Sequence, residues 1–100
     1  MSDFKDVYAE HIRLSVLRLL DSQSGYCAND SVMTIGVQQL GLSCTRAQMR
    51  EHLHWLEEVR MVTLLKPSDG LIVATLSERG ADVANGRATT AGIARPSPRA

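Results

Sequence analysis

The sequence predicts an α+β fold, mainly α: a winged helix-turn-helix with a two-stranded wing and a disordered C-terminal tail. Three observations carry that expectation. Apolar residues recur at helical spacing over 3–21, 30–40 and 45–60. From Val62 the pattern switches to two short β-rich runs, 62–66 and 71–76, around the turn Pro67-Ser68-Asp69-Gly70. From Gly86 onward all periodicity stops. The expected domain is therefore 1–86, followed by a flexible basic tail over 87–100.

Each element has a local reason. In the first helix Phe4, Tyr8, Ile12, Val16, Leu19 and Leu20 share a broad face, while Val7, Leu14 and Leu17 form a second stripe. A surface helix needs only one stripe. The second either meets another element of the same chain or meets its copy in a homodimer, with Val7, Leu14 and Leu17 as the dimer interface. Residues 22–30 are rich in turn formers, and Tyr26-Cys27-Ala28 suits a short strand. Asn29 or Asp30 caps the second helix, whose inward face is Met33, Gly36, Val37 and Leu40, and Gly41 stops it. Thr45-Arg46-Ala47-Gln48 fits a capping box for the third helix, with Ser43 as the competing cap. Met49, Leu53, Leu56 and Val59 form that helix's core face. Ser77 caps a last helix running to about Asn85, with Glu78 suited to its positive end.

One hundred residues allow one small domain, and its core must be mainly aliphatic because only 4% of the chain is aromatic. No run approaches the ~18 apolar residues of a membrane span, and the charged N-terminal stretch lacks the apolar block of a signal peptide. Cys27 and Cys44 form neither a metal cluster nor a disulfide framework. A soluble cytosolic protein with reduced thiols is the expectation. Net charge is zero, but residues 1–82 carry −3 and the remainder, with Arg87, Arg95 and Arg99, carries +3. DNA affinity comes largely from phosphate neutralisation, so DNA binding here requires a local patch, the tail or a dimer.

The stretch HLHWLEEVRMVTLL…GLIVATLSERG is similar to the pattern of winged-helix transcription regulators. Leu53, Leu56, Glu57, Met61 and Val62 match the end of the recognition helix and the first wing strand. Leu76, Ser77, Glu78 and Gly80 match the strand-to-helix junction after the wing. HIRLSVLRLL resembles the first helix of such proteins. WLEE together with SERGADVANGRATTAGIARPSP resembles small ArsR-like proteins of Mu-like phages and prophages. The resemblance covers nearly the whole chain and implies a phage- or prophage-encoded DNA-binding transcription regulator in the cytoplasm of a bacterial host, by fold analogy. Two departures stand out. Arg60 occupies a position where many regulators have glycine, and the Cys-x-Cys of metal-responsive relatives is absent.

In that fold the exposed face of the third helix enters the major groove. The candidate DNA-binding residues are Thr45, Arg46, Gln48, Arg50 and His54 on the helix, with Lys66 and Ser68 in the wing. Arg reads guanine, Gln reads adenine, and a hydroxyl at a helix start holds phosphate. Glu51, Glu58 and Asp69 oppose phosphate, and Arg50 has a competing role as a partner of Glu51, or of His54 and Glu57, in a solvated face. Trp55 lies at the edge of the core face. It is expected either to pack under a neighbouring element such as the wing or to act as a partner anchor. His11, His52 and His54 are not spaced to chelate one ion. Cys44 lies at a helix start, which lowers a thiol pKa in principle, but a small buried residue is the plainer reading. Ser43 has no base spaced to serve it, and no phosphate loop or cofactor box occurs. No catalytic activity, metal or cofactor is expected. Two readings of function follow: a sequence-specific, dimeric DNA-binding regulator, which is preferred, and a winged-helix module that docks a phage or host protein.

Overall fold

The computed structural model describes residues 3–97 and places four α-helices and a three-stranded antiparallel sheet among them. In chain order these are α1 (Phe4–Ser22), β1 (Cys27–Asn29), α2 (Asp30–Gln39), α3 (Arg46–Glu58), β2 (Val62–Ser68), β3 (Leu71–Leu76) and α4 (Glu78–Ala84). The expected two-stranded ribbon is therefore one strand short. β1 pairs with β3, so that Cys27 faces Thr75 and Asn29 faces Val73, and the strand order is β1-β3-β2. The short strand expected at Tyr26-Cys27-Ala28 forms one residue later, and its pairing with β3, more than forty residues away, is what the two-stranded expectation lacked.

The caps follow local chemistry. Asp3 accepts the Asp6 amide, Asn29 accepts that of Val32, and Ser77 accepts that of Gly80. Thr45 rather than Ser43 caps α3: its hydroxyl accepts the Gln48 backbone amide, and the Gln48 side-chain Oε1 accepts the Thr45 amide at 2.9 Å. Gly41 ends α2 at φ 84°, where the Leu42 amide reaches back to the Val37 carbonyl. Arg60 ends α3 in the same way. It adopts φ 67°, and Met61 donates to the Leu56 carbonyl at 2.9 Å. The departure from glycine at this position is thus a left-handed arginine, at a conformational cost that glycine avoids.

The core is aliphatic. Ile12, Val16 and Leu20 of α1 meet Met33 and Val37 of α2, Met49, Leu53 and Leu56 of α3, and Ile72 and Ala74 of β3. The second stripe of α1 is also inside: Leu14 is 6% exposed and Leu17 is fully buried. Residues sealed within one chain cannot form the expected dimer interface, and only Val7 of that set reaches solvent. The reason is that α1 packs against both α2 and α4. A charge placed at Leu14 would enter the core, so Leu14→Glu tests folding and not association. Phe4 and Leu40, expected to face inward, are exposed.

The C-terminal segment differs most from expectation. Instead of a disordered tail, the chain from Gly86 folds back along α1. Ile93 is 5% exposed, and the Ala94 amide donates to the Glu10 carbonyl at 3.2 Å. A single buried isoleucine in a Gly/Ala/Thr-rich stretch leaves no periodic trace. Arg99, expected to act with the tail, lies outside the described residues.

Candidate functional site

The main polar cluster joins α2, α3 and the β2–β3 turn around Asp30. This first residue of α2 is completely buried. Its Oδ1 accepts from the Ser31 amide at 3.0 Å and the Ile72 amide at 3.4 Å. Arg46 donates Nε to Oδ2 at 3.2 Å and Nη2 to Oδ1 at 3.3 Å, and Arg50 donates Nε to Oδ2 at 2.6 Å. Both Nη2 groups also donate to the Gly70 carbonyl, that of Arg46 at 2.8 Å. Gly70 closes the hairpin at φ 77°. Burial alone would raise the Asp30 carboxyl, but the arginines and the Ile72 amide outweigh it and hold the pKa at about 2.

Arg46 and Arg50 lie one helical turn apart, and neither has an acid three or four residues away on α3. Their charge is balanced from another element, and not by Glu51 or Glu57. Glu57 instead accepts the Leu64 amide at 3.2 Å. The lack of an acid within one turn of either arginine was the one sequence signal for Asp30, which otherwise read only as a helix cap. The side chains of Arg46 and Arg50 remain 46% and 35% exposed.

The other candidates are distributed around this cluster. Arg50, His54, Lys66 and Ser68 line one open concavity between α3 and the hairpin turn, with Asp69 on its rim. Thr45 and Gln48 are exposed but engaged in the capping box. Arg87 pairs with Asp82 at 3.0 Å.

Trp55 belongs to a second cluster, under the C-terminal segment and not under the wing. The Arg13 guanidinium lies over its ring, 4.1 Å from the centroid. Arg13 also donates Nε to His52 Nδ1 at 3.2 Å and Nη1 to the Gly92 carbonyl at 3.0 Å. Gly92 adopts φ 90°, and a Cβ there would lie 2.7 Å from the indole. Covered on this side, Trp55 is poorly placed as a partner anchor. Burial and the Arg13 charge lower the His52 pKa. Burial raises the Cys44 thiol, the opposite of what its helix-start position suggested. No group of three or more His, Cys, Asp or Glu among the described residues is arranged to hold a metal. No described helix is long and apolar enough to cross a membrane.

Fold and site together define a small α+β protein in which a buried carboxylate ties one helix and its two arginines to a β-hairpin. The chain is 40% identical over 96 residues to the uncharacterized protein gp26 of Escherichia phage Mu, spanning 95% of this chain and 97% of that one. It belongs to the family of that phage protein. It is also 40% identical over 76 residues to an uncharacterized protein of Haemophilus influenzae (strain ATCC 51907 / DSM 11121 / KW20 / Rd), covering 76% of this chain and 74% of the relative. No family model matches the chain, and neither does any solved structure.

Proposed function

We propose that this protein is a winged-helix regulator of phage transcription that binds duplex DNA through α3 and the β2–β3 hairpin. The observation that carries the reading is the Asp30 cluster. It holds two half-exposed arginines of α3 against the hairpin turn, so helix and hairpin present one cationic surface. The order helix, strand, helix, helix, strand, strand, with β3 central, is consistent with a winged helix. Local charge then supplies what net charge does not. Binding, and not catalysis, is the activity in this reading, and Val7, Leu14 and Leu17 have no part in it as a dimer interface.

The test is an electrophoretic mobility assay on the protein's own upstream DNA at low and physiological salt. A retarded band that survives competitor DNA and weakens in Lys66→Ala supports the reading. No band at low salt sinks it. A second reading, a protein-docking module, is favoured by one observation: Val32 and Ile35 of α2 and Leu40 just past its end are all more than half exposed. Under that reading Val32→Asp with Ile35→Asp abolishes capture of a phage or host protein and leaves DNA unaffected.

A further inference from the structure

We propose that Arg46 and Arg50 form a clamp for a single backbone phosphate and do not read bases, with Asp30 as the positioning residue that sets their geometry. This rests on the reading that the protein binds DNA, and it names the chemistry of that contact. An arginine that reads guanine offers two parallel N–H groups and extends into the groove. Arg46 has no complete fork left for this. Its Nε holds Asp30, and its Nη2 donates to both Asp30 and the Gly70 carbonyl. Arg50 is tethered along the same edge, by Nε to Asp30 and by Nη2 to Gly70. Both guanidinium groups are thereby held at the hairpin turn.

What remains suits a phosphate. Neither Nη1 group has a hydrogen-bond partner among the described residues, and each offers two N–H donors. Two cations around one buried anion leave a formal charge of +1, fixed before any ligand arrives. Lys66 lines the same concavity as Arg50 and adds a mobile cation. Asp30, fully buried and accepting five hydrogen bonds, cannot itself meet the ligand. It orients the donors much as an outer carboxylate orients a metal-bound histidine. Free phosphate and the DNA backbone share this chemistry, and the experiment separates them.

Two arms test the clamp. In the first, fluorescence anisotropy over a salt series compares the wild type with Arg46→Ala and Arg50→Lys, on the upstream duplex and on a scrambled one. Far-ultraviolet circular dichroism checks that each variant is folded. The clamp requires Arg46→Ala to weaken both duplexes by the same factor and to reduce the salt slope by about 1. Arg50→Lys should retain most of the affinity for both. A loss confined to the upstream duplex, or to one base-pair position within it, overturns the clamp in favour of base reading. In the second arm inorganic phosphate is titrated into the wild type while the arginine Nε resonances are followed by NMR. Arg46 and Arg50 should shift, and Arg13, under the C-terminal segment, should not. Shifts at Arg46 and Arg50 without any duplex binding would sink the DNA reading and leave the anion clamp standing. No shift, or an equal shift at Arg13, overturns the clamp even if DNA binds.

Discussion

Arg13 and the Arg46–Arg50 pair are partly buried cations that solve the same problem with different partners. The pair surrounds one carboxylate, which balances half of its formal charge where it sits. Arg13 is met by an indole face, an imidazole nitrogen and a backbone carbonyl, all neutral. Burial accordingly lowers the Arg13 pKa, offset in part by Glu10 and then Asp6. The first arrangement joins α2, α3 and the hairpin. The second fastens the C-terminal segment to α1 and α3. The contrast teaches that an ion pair with a buried acid holds over a wide pH range, whereas a clasp that depends on a neutral histidine responds near neutrality.

The largest way to break the comparison is at Asp30. Asp30→Asn leaves two arginines without their counter-ion and should cost about 2–3 kcal/mol, read from urea denaturation at pH 7. That is below the usual cost of breaking a buried pair, because both arginines are partly solvated. A loss under ~0.5 kcal/mol would mean that the cluster is not structural. On the other side, Ile93→Ala should cost about 2 kcal/mol, since it removes the buried anchor of the C-terminal segment. It should also expose the segment to limited proteolysis while the hairpin stays protected. If the tail were free in solution, neither effect would appear.

Acid separates the two clusters. The folded-state pKa of His52 lies below 6.5, because burial and then Arg13 disfavour its proton. The unfolded chain binds that proton first, so the stability His52 contributes is complete above pH 6.5 and falls as pH drops below it. A proton on Nδ1 also displaces the Arg13 hydrogen bond. Asp30 runs later. Its contribution is complete above its ordinary value of 3.8 and is lost as pH falls through about 2. Between pH 7 and 5, amide protection factors, which remove the base-catalysed intrinsic rate, should therefore fall in residues 90–95 and stay constant at Gly70 and Ile72. An equal fall at both would contradict the comparison.

The smallest effect is a control that touches neither cation. Arg60→Gly relieves a left-handed non-glycine residue at the end of α3 and should stabilise the protein by about 0.5–1 kcal/mol in the same denaturation assay. Both clusters should keep their pH responses.

Local chemistry made much of the fold legible. The bounds of α2, α3, β3 and α4, the capping box at Thr45 and the glycine stop at Gly41 all follow from interactions within a few residues. The concavity lined by Arg50, His54, Lys66 and Ser68 was legible for the same reason, since helix spacing and one turn place them. Four things were decided only by packing. Leu14 and Leu17 turned inward because α1 has neighbours on more than one side. β1 joined the sheet because β3 offered it an edge. Ile93 left the solvent because α1 and α3 presented a place for it. Asp30 changed from a cap to the centre of a charge cluster because α3 and the hairpin carried two arginines and a carbonyl to it. Periodicity and caps are short-range, so sequence alone determined them. Which apolar stripe finds a partner, and which acid answers which base, depends on residues sixteen to seventy-nine positions apart, and only the tertiary structure brings those together.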